Sequence, residues 1–210
     1  MYLSLTPEIV LNLFKNKIVW KINTEEKKIF LTFDDGPVPE ITPKVLKILK
    51  DFNVKATFFC VGDNVRKYPE VFNQIIESGH AVGNHTFNHL NSWKTPSKLY
   101  LENIKKNEEY FSTNLFRPPY GKLRPYIFKK LKEDYKIILW TILSGDFDNK
   151  ISNLKCLNNV IDNATNGSII VFHDSIKAQN KLFYALPRVL EHFSKLGFQF
   201  CSITNDVLNN

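Results

Sequence analysis

The sequence predicts a single α/β domain with mostly parallel strands. Short apolar runs alternate with segments of helical periodicity along the whole chain, the pattern of repeated strand–helix units. Its 210 residues suit one domain with a substantial core. The unusual polar residues fall at or just beyond the C-terminal ends of the apolar runs, the edge on which parallel α/β folds build their sites.

Lys28 to Phe33 reads as a strand running into Asp34-Asp35-Gly36-Pro37. Thr42 to Phe52 places Val45, Leu46, Leu49 and Phe52 on one helical face, and Ala56 to Val61 is a second strand. Pro69 to Ser78 is a helix with proline in its first turn and Gly79 past its end. Ala81-Val82-Gly83 is a short strand leading into a histidine segment, and Ser97 to Phe111 is a long helix. Leu115 to Arg117 is a strand closed by Pro118-Pro119; Arg124 to Glu133 is helical; Ile137 to Ile142 is a buried strand. Ile151 to Asn163 is a weaker helix, Ser168 to Phe172 an apolar strand, Lys181 to Lys195 a helix stopped at Gly197, and Phe198 to Ile203 the last strand. About seven such units can close into a barrel. No repeat, low-complexity segment or linker divides them. The expected organisation is one domain over residues 28–210, with residues 1–27 as an extension packed on it.

A content of 43% hydrophobic and 23% charged residues is that of an ordinary globular chain. The net charge of +7 is mostly lysine, as at Lys44, Lys47, Lys50, Lys105, Lys106, Lys129, Lys130 and Lys132. These read as solvated helix faces, with attraction to an anionic polymer as the sharper alternative. No zinc-finger spacing or single-strand-binding aromatic pattern points to nucleic acid, which is not an expected partner. Cys60, Cys156 and Cys201 are odd in number and widely spaced, so the expectation is buried free thiols in strands and no disulfide-linked partner. Met1 to Trp20 carries no apolar stretch long enough for a signal-peptide core or a membrane span. The compartment stays unknown, with cytoplasmic the reading unless a leader has been removed.

In His85-Thr86-Phe87-Asn88-His89, two histidines four apart lie on one face of a helical turn and can reach one metal ion. The spacing also arises by coincidence, and the segment lacks the glutamate of the HExxH pattern, so any base comes from elsewhere. In Thr32-Phe33-Asp34-Asp35-Gly36-Pro37, two adjacent carboxylates repel each other and need a cation or hydrogen bonds. A turn explains one of them well and two poorly. His85, His89 and one aspartate make a two-histidine, one-carboxylate set suited to zinc or another divalent ion; the second aspartate is left as general base.

Thr-Phe-Asp-Asp-Gly-Pro, then His-Thr-x-x-His, then Arg117-Pro-Pro-Tyr-Gly in this order resembles the polysaccharide deacetylases, carbohydrate esterase family 4, over about residues 28 to 203. The resemblance implies a distorted (β/α) barrel with about seven parallel strands. It implies Asp34 as base, Asp35, His85 and His89 as ligands of one divalent metal, and Arg117 orienting the base. It also implies that the Tyr120 N–H helps hold the oxyanion. Zinc is the expected ion, with cobalt, manganese, nickel or iron as alternatives. Leu143-Ser144-Gly145-Asp146-Phe147 stands where the family has Asp-Ser-x-Asp-Trp. Asp146 matches the second aspartate, while Leu143 and Phe147 replace the first aspartate and the tryptophan. Val171-Phe172-His173 matches the final motif, making His173 the general acid with Asp146 to fix its tautomer. Pro119, Tyr120, Phe147 and Val171 are the expected substrate contacts.

Other residues have plainer readings. His80 reads as a helix stop and His192 as a surface residue. Asp174 is either a local cap or part of the site, and Trp93 either a sugar platform or core. The expected reaction is metal-dependent removal of N-acetyl groups from an N-acetylglucosamine-containing glycan. The rivals are an O-acetyl esterase or small-amide hydrolase on the same scaffold, and a non-catalytic glycan-binding module.

Overall fold

A computed structural model describes residues 5, 6 and 18–209. Seven strands form one continuous path in the order β5-β4-β3-β2-β1-β7-β6, and an eighth pairs with the start of β1. They are β1 (Lys28–Asp34), β2 (Thr57–Cys60), β3 (Ala81–Asn84), β4 (Leu115–Phe116), β5 (Lys136–Ile137), β6 (Ile142–Leu143), β7 (Ile169–His173) and β8 (Gln199–Phe200). Every ladder between them is parallel. The described helices are α1 (Thr42–Asp51), α2 (Gly62–Lys67), α3 (Pro69–Glu77), α4 (Ser97–Lys105), α5 (Pro125–Leu131), α6 (Asn153–Ile161), α7 (Gln179–Lys195) and α8 (Asn205–Asn209).

The sheet is curled into a distorted barrel, and the chain length between its edges requires this. In a flat sheet, six inter-strand gaps of about 4.8 Å would separate β5 from β6 by about 29 Å. Yet only residues 138–141 join these strands, a reach of at most about 18 Å from Ile137 to Ile142. The sequence expectation of one strand from Ile137 to Ile142 is corrected here: the run crosses the seam and serves both edges. Among the described residues of the expected N-terminal extension, Val19 pairs with Ile138 and Lys21 with Ser168, bridging the seam; residues 1–4 and 7–17 of that stretch lie outside the described residues.

Alternation along β1 separates two cores. Ile29, Leu31 and Phe33 face the helices with Phe58, Ile170 and Phe172, while Phe30 packs inside with Phe59, Leu115, Ile138 and Ile169. Thr32 and Asp34 share the inner face with Phe30. The covering helices are locally encoded. Pro43 sits in the first turn of α1, whose Val45, Leu46 and Leu49 are buried. The Ser152 hydroxyl caps α6 by accepting from the Lys155 N–H at 3.0 Å. Gly197, at φ 79°, ends α7 where Lys195 was expected to be its last residue.

Two further expectations change. The helix expected to Phe111 leaves α geometry after Lys105 and tightens to a 3-10 turn over Lys106–Glu109. The cysteines are free, but Cys60 alone sits in a strand: Cys156 is buried on α6, and Cys201 lies half-buried beyond β8. No described helix is long and apolar enough to cross a membrane.

Candidate active site

β1 delivers both aspartates. Strict alternation would send Asp34 inward and Asp35 outward to the helices. Asp35 instead adopts φ 81°, reversing the alternation so that both carboxylates border one cavity. The turn is held from outside. The Asn64 side chain on α2 donates to the Asp35 carbonyl at 2.8 Å, and Asp174 accepts from the Gly36 N–H at 3.1 Å and from the Thr42 hydroxyl at 2.6 Å. Asp174 therefore braces the turn from behind and is not in the cavity wall; burial raises its carboxyl to about 8.

Arg117 follows β4 and is fully buried inside the barrel. Its Nη1 donates to Asp34 Oδ1 and to the Thr32 hydroxyl, both at 2.7 Å, while Nε and Nη2 donate to the carbonyls of Ile138 and Leu139 at 3.1 Å. Its guanidinium carbon lies 4.0 Å from the centre of the Phe59 ring. A buried carboxylate is thus paired and a buried cation nearly saturated with acceptors, the condition under which such a pair is tolerated.

The helical turn expected from the spacing of His85 and His89 is not formed. Residues 85–89 form an irregular loop in which Thr86 and His89 take φ 62° and 53°. The two rings still meet, 5.0 Å apart between centres. His85 Nδ1 lies 2.8 Å from the Arg117 carbonyl, which can only accept, so Nδ1 carries the proton and Nε2 presents a lone pair. That lone pair lies 3.8 Å from Asp35 Oδ1 and 4.0 Å from Asp34 Oδ2. Burial lowers His85 to about 4, overriding the attraction of Asp34, so the ring stays neutral. His89 Nε2 stands 3.2 Å from Asp35 Oδ1, which is buried without a hydrogen-bond partner. Burial would raise the Asp35 carboxyl, but His89 beside it and the positive charge of His173 hold it well below the carboxylate range.

One donor atom each from Asp35, His85 and His89 lies within 4.8 Å of the others. A neutral lone pair and an orphaned carboxylate oxygen facing one point fit a divalent cation.

His173, at the end of β7 and opposite Asp34 in the ladder, lines the same cavity. Its ring Nδ1 and backbone N–H meet the two oxygens of buried Asp146, each at 2.7 Å. Burial opposes protonation of His173, but the charge and hydrogen bond of Asp146 prevail and raise it to about 9. Phe147 packs its ring edge-on to His173 at 5.0 Å.

These groups open into a cavity of about 770 Å³ lined also by Tyr120, Leu143, Phe147, Leu139, Trp140 and Trp20. Tyr120 is at φ 63°, and its ring meets that of His89 at 4.7 Å. Two expected substrate contacts are not in the wall: Pro119 and Val171 are buried, and Leu143, which pairs with Val171 on β6, lines the cavity instead. Trp93 is exposed away from the cavity, His192 is at the surface of α7, and His80 is buried, its Nδ1 accepting from the Ala56 N–H at 3.2 Å. Sequence reasoning missed Trp140, Leu139 and Trp20 in the wall. It also missed α2, whose first N–H groups donate to the carbonyls of Thr86 and Phe87 at 3.1 and 2.9 Å. The Gly-Asp-Asn run at residues 62–64 was the only local signal for it.

A parallel barrel with two carboxylates, two histidines and an acid-held third histidine near its strand ends defines a hydrolase-like α/β protein with a group of side chains able to hold a metal ion. The chain belongs to the polysaccharide deacetylase family, whose sequence profile matches residues 21–135. It is 32% identical to a peptidoglycan-N-acetylglucosamine deacetylase of Bacillus cereus, over 89% of this chain and 91% of the relative. It is 34% identical to a chitooligosaccharide deacetylase of Azorhizobium caulinodans, over 73% of this chain and 77% of that one. Its fold superposes with a TM-score of 0.86 on the crystal structure of the Bc1960 peptidoglycan N-acetylglucosamine deacetylase, covering 94% of this chain and 95% of the other at 32% identity.

Proposed function

We propose that residues 28–210 form the catalytic unit of a zinc-dependent deacetylase that removes N-acetyl groups from an N-acetylglucosamine-containing glycan, releasing acetate. The convergence of Asp35, His85 and His89 on one point, in the cavity that Asp34 and His173 also line, carries this reading. Relatives named for peptidoglycan and chitooligosaccharide support the substrate class.

A divalent ion held by Asp35, His85 and His89 would supply Lewis-acid polarisation of the acetyl carbonyl and of water. Asp34 takes the proton of the attacking water, and the hydrogen bond from Arg117 holds its carboxylate in place. The Tyr120 N–H donates to the developing oxyanion. His173 is kept protonated by Asp146 and delivers its Nε2 proton to the leaving nitrogen, which departs as the amine. Leu139, Leu143 and Trp140 supply apolar wall for the acetyl methyl group, and Phe147 an aromatic face for the sugar ring.

The test is acetate release by the zinc-loaded protein from peptidoglycan, chitooligosaccharides and acetylated xylan. Release from the N-acetylated glycans with little from xylan is expected. Preferential xylan turnover would make it an O-acetyl esterase, and binding without turnover of any would make it a glycan-binding module.

A further inference from the structure

We propose that Asn84 and Asn103 are positioning residues that set the spacing of the two histidine ligands, so that metal affinity depends on two carboxamides that never touch the ion. The inference rests on the reading of Asp35, His85 and His89 as a metal centre.

The loop from His85 to Leu90 has no regular structure to hold it, and it carries two residues in left-handed conformation. One of them, Thr86, is β-branched, for which that region is strongly disfavoured. Such a loop keeps one geometry only if its surroundings over-determine it. Asn84, the last residue of β3, does this on the His85 side. Its Oδ1 accepts from the Thr86 N–H and from Asn107 Nδ2, both at 2.8 Å; its Nδ2 donates to the Ile104 carbonyl at 3.0 Å and the Tyr135 hydroxyl at 3.3 Å. The Asn84 carbonyl also accepts from the Arg117 N–H at 3.0 Å, and the Arg117 carbonyl holds His85 Nδ1. Asn84 therefore fixes the loop's first turn and the strand that orients the first histidine.

Asn103 on α4 does the same on the His89 side. Its backbone carbonyl accepts from the Phe87 N–H at 3.1 Å, its Oδ1 accepts from the Asn88 N–H at 2.9 Å, and its Nδ2 donates to Asn88 Oδ1 at 2.8 Å. Both asparagines are almost wholly buried, so no water substitutes for a lost carboxamide. Between them they hold three successive loop amides, at Thr86, Phe87 and Asn88, leaving the ligands at either end little freedom. Asn84→Ala and Asn103→Ala release the turn without removing a ligand.

Zinc affinity is measured on the metal-free proteins by competition with a chromophoric chelator, and the visible spectrum of the cobalt(II)-loaded proteins reports ligand geometry. Each alanine variant should bind zinc about 10- to 100-fold more weakly, the usual effect of losing a hydrogen bond behind a metal ligand, with altered cobalt bands. Asn103→Asp keeps the acceptor for the Asn88 N–H, and a reversed Asn88 carboxamide can donate to its second oxygen, so this variant should restore most of the affinity. Leu190→Ala, a buried truncation on α7 far from the loop, controls for general destabilisation and should bind as wild type. Should Asn84→Ala not fold, Asn103→Ala carries the same test. Alanine variants that fold and match wild type in affinity and spectrum overturn the proposal, as does an equal loss in Leu190→Ala. If the wild-type protein binds no metal, the metal reading falls and this one with it; if wild type binds and the variants match it, only the positioning role falls.

Discussion

His173 gives both its backbone N–H and its ring Nδ1 to the two oxygens of one carboxylate, Asp146, each at 2.7 Å. The first contact fixes where the residue sits and the second fixes its tautomer and charge, leaving Nε2 to the cavity. Since the acid role needs the protonated ring, activity should fall as pH rises through about 9. Asp146→Asn should bring that alkaline limb down by more than one pH unit, towards the ordinary histidine value of about 6.5. An unmoved limb in Asp146→Asn would detach it from His173.

The same pair makes a stability prediction of definite sign. The folded value of about 9 lies above the unfolded one of about 6.5, so the stabilisation is complete below about 6.5 and is lost as pH rises through 9. Thermal unfolding of wild type should therefore show a loss of Tm between pH 6.5 and 9.5 that is reduced in Asp146→Asn. Parallel Tm profiles would contradict it.

Asp34 and Asp35 should separate under metal titration. Asp34→Asn keeps the shape but cannot take a proton; it should bind zinc nearly as wild type while kcat falls by roughly 10²–10⁴. Asp35→Asn offers a poorer ligand in place of the oxygen now orphaned beside His89, and added zinc should partly restore its activity. Rescue of Asp34→Asn with Asp35→Asn unresponsive would exchange the two roles.

His173→Ala should slow hydrolysis of an N-acetyl sugar far more than that of an activated aryl acetate, whose leaving group needs no proton. The ratio of the two losses should exceed about tenfold, on a general-acid contribution of about 10²–10⁴. Equal losses on both would remove His173 from that role.

Arg117→Met should both inactivate and destabilise. It strands the Asp34 carboxylate and two carbonyl acceptors in a buried site, and breaking a buried ion pair costs about 3–5 kcal/mol. For a domain of this size that is a fall in Tm of roughly 6–20 °C, measurable by calorimetry. An unchanged Tm would mean that solvent enters the barrel.

The chemistry-bearing residues were legible because their identities are improbable where they occur. Two aspartates at a strand end and an arginine before two prolines have few structural uses, and both histidines lie in a segment following a strand. What brings them together was not legible. Spacing suggested a helical turn for His85 and His89, but the loop geometry is set by carboxamides on β3 and α4 and by the N-terminus of α2, contacts spanning up to 24 residues. The run from Ile137 to Ile142 looked like one strand because apolarity records burial, not pairing; that it joins opposite edges follows only from closure. Trp140 went unnoticed for the same reason: its part in the cavity depends on where the seam falls.

The carbonyls that receive Arg117 belong to residues 138 and 139, within the crossing that joins the barrel's two edges. One side chain thus clasps the closure and aims the proposed base. Folding and competence are checked by the same clasp: a copy in which the seam has parted has also released Asp34, so a loosely closed chain cannot persist as a half-working enzyme. Natural variants that have given up turnover while keeping the fold are expected to have changed Asp34, Asp35 or a histidine, and to have left this arginine in place.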